Sequence, residues 1–211
     1  MPVDWSIFQA ALQQSREGDN LKAINEFSAL LFDTESNSER AAILLGQSSC
    51  YSQLGNIVKS REVLALAKQY AQGDRLALSQ VEMTEGSLCA QNDEYDLACE
   101  KFISVKSEYS DLLALPENED FVVELNSRLA CTLVDAGRYN ESIQLFRELF
   151  SRKEVHDKQR LQLYFGIALL NLGNTSEAQR LLFDAMKGSD PGLAKSASDF
   201  LTKAGRASLK V

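Results

Sequence analysis

The sequence predicts an all-α fold, a stack of antiparallel helix pairs wound as an α-α superhelix. Three observations predict it. Leu and Ala number 31 and 22 of the 211 residues, against 17 for Val and Ile together. Leu and Ala favour helices, whereas β-branched residues favour strands. Proline stands only at Pro2, Pro116 and Pro191, so two long stretches hold no helix breaker. Finally, short turn signals recur along the chain at similar intervals. A sandwich, a barrel and a doubly wound sheet are disfavoured by this composition. Disorder is disfavoured too, because 45% hydrophobic with 25% charged is an ordinary globular mixture.

The recurring breaks are Gly18-Asp19-Asn20, Gly55-Asn56, Asp93-Glu94-Tyr95, Gly137-Arg138-Tyr139 and Gly173-Asn174, spaced 37, 38, 44 and 36 residues apart. Seven residues before each stands a small residue: Ala11, Ser48, Gly86, Ala130 and Gly166. Five residues after each stands another: Ala23, Ser60, Ala98, Ser142 and Ala178. Four further on comes a bulky apolar residue: Phe27, Leu64, Phe102, Phe146 and Leu182. Three beyond that comes an apolar one: Leu30, Ala67, Val105, Leu149 and Ala185. Each break reads as a tight turn between two helices. Small residues on both sides let the two helices approach closely. The bulky residue, one turn past the second small one, shares its helix face and fills the gap to neighbouring helices. One pair cannot bury its own apolar faces, so pairs stack and share a core.

Caps and breaks place the elements in order. Helices are expected at about 4–17 with 20–33, 38–54 with 56–71, 75–91 with 94–110, 118–136 with 139–152, and 157–172 with 175–188. The five units then span about 4–34, 38–71, 75–110, 118–152 and 157–188 of a single domain, 1–211. Asp190-Pro191 supplies an N-cap with Pro at the first helical position. It opens a last helix, about 191–207, which serves as the wet-faced cap that a stacked array needs. The longest interval holds an extra connection near Ser110–Asp120. From Ser107 to Ser127 there is no Lys or Arg, but there are six acids: Glu108, Asp111, Glu117, Glu119, Asp120 and Glu124. A solvated linker with an acidic helix start is the simpler reading of residues 107–127. A docking loop for a basic partner is the other.

Gly137-Arg138-Tyr139-Asn140-Glu141-Ser142-Ile143 with Phe146, Gly173-Asn174-Thr175-Ser176-Glu177-Ala178 with Leu182, and Tyr95-Asp96-Leu97-Ala98 with Phe102 resemble the tetratricopeptide repeat (TPR) family. The resemblance spans roughly residues 4–188. Every interval exceeds the usual length of about 34 residues. The early Trp and the inter-repeat Pro of the family pattern are mostly missing. The resemblance implies a curved ribbon whose first helices line a concave face, and a partner's extended peptide or helix held there.

Helical phase nominates residues for that face. The first unit offers Trp5, Phe8, Leu12, Ser15 and Arg16, and the second Leu45, Ser49, Ser52 and Gln53. The third offers Gln80, Met83, Ser87 and Gln91, the fourth Ser127, Cys131 and Asp135, and the fifth Leu163 and Asn171. Trp5, Phe8 and Leu12 form an i, i+3, i+7 stripe, which as exposed anchors would suit a hot spot. Some TPR proteins hold a chaperone's terminal carboxylates with several cations on this face. The first three units here offer only Arg16, so an apolar or amphipathic segment is the better match.

No catalytic constellation is legible. His156, in the charged connector Lys153–Lys158, is the single histidine. It is expected to be exposed and to take no part in acid–base work. Cys50, Cys89, Cys99 and Cys131 lie in apolar helical patterns and read as reduced core thiols, not as zinc ligands. G-x-S-x-G, Walker A, G-x-G-x-x-G and H-E-x-x-H strings are absent. No cofactor and no metal is expected. A net charge of −8 disfavours nucleic acid and anionic lipid. The apolar runs are too short to span a bilayer, and no signal peptide is visible. The expectation is therefore a cytoplasmic, non-catalytic protein-interaction scaffold or adaptor, with self-association compatible. A helical-repeat RNA binder, or a non-catalytic subunit of an enzyme complex, is the alternative.

Overall fold

The computed structural model describes residues 4–152 and 156–208, with side chains through residue 203. All regular structure among the described residues is helical. Contacts divide the chain into two compact units, Met1–Leu112 and Leu113–Val211.

The first unit holds three helix pairs: α1 (Trp5–Arg16) with α2 (Asn20–Asp33), α3 (Asn37–Gln53) with α4 (Ile57–Tyr70), and α5 (Arg75–Gln91) with α6 (Tyr95–Glu108). A short α7 (Ser110–Leu113) follows. The second unit opens with a 3-10 turn, Pro116–Asn118. It continues through α8 (Glu119–Asp135), α9 (Tyr139–Phe150), α10 (Lys158–Asn171), α11 (Thr175–Met186) and α12 (Pro191–Ser208). The paired helices lie where the repeat predicts them. The connection near 110–120 differs from a plain linker, because it is wound into α7 and the 3-10 turn. Lys153, Glu154 and Val155 of the charged connector lie outside the described residues, and His156 beside them is exposed as expected.

Each turn between paired helices has one chemistry. The residue at the marker takes positive φ: Gly18, Gly55, Gly137 and Gly173, with Asp93 at φ 60° in the third pair. The next residue's N–H then reaches a carbonyl five positions back, as in Asp19 to Gln14, Asn56 to Tyr51, Glu94 to Cys89, Arg138 to Leu133 and Asn174 to Leu169. These are Schellman ends, which satisfy the carbonyls that a helix terminus leaves open. Asx and Ser side chains cap several of the opposite ends. Ser36 accepts from the Glu39 N–H, Asn56 from Lys59 and Asp74 from Ala77. Asp190 accepts from both Gly192 and Leu193 at the start of α12, as the Asp-Pro pair predicts.

The four recurring positions build the core, and every one of their residues is buried. Phe27, Phe102, Phe146 and Leu182 are fully shielded from solvent. Burying such a side chain contributes about 1.5–3 kcal/mol. The small positions touch where the helices cross. Ser48 and Ser60 sit with their hydroxyls 2.9 Å apart, and the Ser60 hydroxyl also donates to the Ser48 carbonyl at 2.8 Å. At Gly86 an added Cβ would stand 2.8 Å from the Phe102 ring, and at Gly166 it would stand 2.7 Å from Leu182.

Pairs share their core within each unit. One cluster joins Phe8, Phe27 and Leu30 to Ile43 and Cys50 of the next pair, and another joins α3 and α4 to α5. In the second unit α8 through α11 form a cluster around Phe146 and Phe165. α12 then packs Ala197, Leu193 and Phe200 onto Leu163, Leu182 and Ala185. It occupies the place that the first helix of a further pair would take. The polar Ser6, Gln9 and Gln13 of α1 face solvent.

Candidate interaction face

Stacking brings the first helices of successive pairs together. In the first unit α1 lies along α3, and α3 along α5. Polar side chains near their C-terminal ends join into one row. Gln53 Nε2 donates to Ser15 Oγ at 3.2 Å and to Ser49 Oγ at 3.4 Å. Ser15 in turn donates to Asn20 at 2.9 Å and accepts from the Cys50 thiol at 3.4 Å. Ser52 donates to Gln91, which carries the row onto α5. No side chain in this row is charged; it is built of amide, hydroxyl and thiol groups.

The residues nominated by helical phase fall into three groups. Arg16, Ser49, Gln53 and Gln91 are exposed in the first unit, as are Asp135 and Asn171 in the second. Trp5 is 49% exposed and packs edge-to-face on Phe8 at 5.2 Å. Leu12, Leu45, Gln80, Ser87 and Ser127 are half-buried. Phe8, Met83 and Leu163 lie in the core and Ser15 is buried beneath the row, so they can support a docking face but not present themselves as anchors. Phe8 instead meets Phe27 at 5.5 Å, edge to face. In the second unit Ser127 and Asn171 turn back onto the carbonyls of their own helices, at Val123 and Ile167.

Two pockets were not legible in the sequence. Both lie between the second helices of adjacent pairs, over the first helix of the later pair. One, of about 310 Å³, is lined by Arg61, Leu64 and Ala65 of α4, Glu85, Leu88 and Cys89 of α5, and Leu97 and Lys101 of α6, with Glu94 at the turn. Its charges neutralise one another. Arg61 pairs with Glu94 at 3.1 Å and Lys101 with Glu85 at 2.9 Å. Lys68 bridges Glu82 and Glu85 beside it. Hydrogen bonds from Asn92 and Arg61 hold the Glu94 carboxyl below the usual range, and burial pushes the Cys89 thiol up. The other pocket, of about 450 Å³, lies in the second unit between α9 and α11, over α10.

The acidic segment is partly spent within the chain. Arg75 grips Asp111 with two bonds, 2.6 and 2.9 Å, and also donates to the Glu108 carbonyl. That grip holds the Asp111 carboxyl down to about 2. Arg152 pairs with Glu119 and Arg128 with Glu124. Three of the four cysteines are buried, and Cys131 is partly so. Among the described residues no cluster of three or more His, Cys, Asp and Glu could hold a metal ion, and no helix is long and apolar enough to cross a membrane.

Solved structures with this arrangement are TPR proteins. A kinesin light chain-like protein from Podosopora anserina, with nearly identical TPR-like repeats, aligns over 85% of this chain and 91% of its own, at 16% identity and TM-score 0.62. The fold is that of the tetratricopeptide repeat. MamA AMB-1 shares it over 85% of this chain and 95% of its own, at 17% identity and TM-score 0.55. YrrB, described as a TPR protein with an unusual peptide-binding site, covers 92% of this chain and 90% of its own, at 15% identity and TM-score 0.53. No family model matches the sequence, and no curated protein matches it. At these identities the TPR likeness is one of architecture.

Proposed function

We propose that this chain is a cytoplasmic, non-catalytic interaction scaffold. In this reading it takes a peptide or an amphipathic helix of a partner protein along the face of its first helices. One observation carries it: the uncharged row from Ser15 through Gln53, Ser49 and Ser52 to Gln91, which joins three first helices into one edge. Amide and hydroxyl side chains suit a peptide backbone, with its alternating donors and acceptors. Trp5, Leu12 and Leu45 are the apolar candidates on the same helices, and Arg16, Gln80 and Ser87 are further polar ones. Ser127, Asp135 and Asn171 are the corresponding candidates in the second unit. The description of YrrB as a TPR protein with an unusual peptide-binding site supports a peptide-binding use of the shared architecture.

The test is affinity capture from native lysate with paired variants. Ser49→Arg with Gln91→Arg blocks the proposed edge. Val58→Arg, on the exposed surface of α4, is the control. Recovery of the partner is expected to fall with the first pair of changes and persist with the control. Equal recovery from both folded variants would refute the placement.

A further inference from the structure

The α9–α11 groove differs from its counterpart in the first unit in its balance of charge: three cations and two acids line it, against two of each there. Arg147 of α9, Lys158 of α10 and Arg180 of α11 converge on a pocket of about 450 Å³. Among the described residues none of the three forms an ion pair. Glu177 and Asp184 also line the pocket, and the Asn174 amide donates to Glu177 at 3.0 Å. Lys158 is the first residue of α10, where the helix dipole adds positive potential. Asp157 before it pairs with Arg160 at 3.0 Å and makes no side-chain cap. In a chain of net charge −8, this pocket has one more cation than acids in its lining. The floor is aromatic, with Phe150 and Phe165 stacked at 5.9 Å.

We propose that this groove is a second docking surface, distinct from the first-helix face, for an acidic peptide segment anchored by an aromatic or large aliphatic side chain. The anchor packs on Phe150 and Phe165. Carboxylates on either side of it meet Arg147, Lys158 and Arg180, which as exposed groups need only partial desolvation to bind them. The occupant is acidic because the charges of Arg61–Glu94 and Lys101–Glu85 cancel in the first-unit groove, whereas three cations against two acids leave an excess of one positive charge here.

Fluorescence anisotropy of the whole chain tests the assignment. The probe is a labelled peptide with a central Phe-Leu flanked by Asp and Glu, and the comparison peptide carries Lys in place of every acid. The acidic probe is expected to bind, and to weaken as salt is raised. Arg147→Glu with Arg180→Glu should weaken it by roughly tenfold or more, and the milder Arg147→Gln by less. Gln53→Ala with Gln91→Ala on the first-helix face should leave it unchanged. The proposal is overturned by absent binding, by equal binding of the two peptides, by full affinity in the folded double variant, or by loss of binding in the first-helix variant.

Discussion

At the scale of single residues, close approach is what the repeat enforces. Gly86 and Gly166 leave space that a neighbouring side chain already occupies. Gly86→Ala places its methyl 2.8 Å from the Phe102 ring, and Gly166→Ala 2.7 Å from Leu182. Each change is expected to cost about 1–3 kcal/mol in urea unfolding, because a well-packed core cannot yield cheaply. An unchanged midpoint would show that the helices shift apart without penalty. Both glycines were legible in the sequence, since they stand at a fixed offset within their own pair. Gly46 was not, although an added Cβ there would meet the Phe27 ring at 2.6 Å. It serves the preceding pair, and periodicity within one pair is blind to that contact. The same blindness placed Phe8, Met83 and Leu163 among the face candidates. A first helix in the stack touches its partner, the preceding pair and the following pair, so its apolar arc is wider than one helical stripe reveals.

At the scale of elements, the ends of the helices carry much of the specificity. Arg75 opens α5 and reaches across to Asp111 in α7, while Ser38 in α3 donates to Asp74, the N-cap of α5. Such ties bind consecutive elements where backbone hydrogen bonding runs out. The Asp111 tie is pH-dependent in a definite direction. Its carboxyl is held at about 2 by Arg75, below the ordinary aspartate value near 3.9. The stabilisation is therefore complete above about pH 4 and is lost as pH falls towards about 2. Thermal melts of the native chain and of Asp111→Asn should differ at neutral pH and converge near the lower limit. A difference that persists there would assign the effect to packing. The acidic run holding Asp111 was visible in the sequence, but its pairing was not. Arg75 lies 36 positions away and meets Asp111 only once α5 and α6 fold back on each other.

At the scale of the molecule, stability is distributed pair by pair. In stacked repeats each pair draws mainly on its neighbours, so damage spreads locally. Phe146 is fully buried at the centre of the α8–α11 cluster and stacks on Phe165 at 5.2 Å. Phe146→Ala is expected to cost about 3–5 kcal/mol. Amide hydrogen exchange should then show the largest loss of protection in α8 through α11 and a smaller one in α1 through α3. A uniform loss along the chain would mean a single cooperative block. The architecture was readable because its signal repeats: five breaks in phase, each with the same four neighbours, outweigh any one ambiguous residue. The α9–α11 groove carries no such signal. Its lining comes from three helices, and its charges differ from those of its counterpart in the first unit, so no recurring offset marks them.

The cysteines give these local openings a chemical clock. No disulfide joins the four cysteines, and burial raises the thiols of Cys50 and Cys89 and takes Cys131 to about 12. Since the thiolate is the reactive form, alkylation of the buried Cys50, Cys89 and Cys99 at neutral pH must wait for a helix to lift away. These thiols on α3, α5 and α6 therefore time the opening of different helices, with no foreign label introduced.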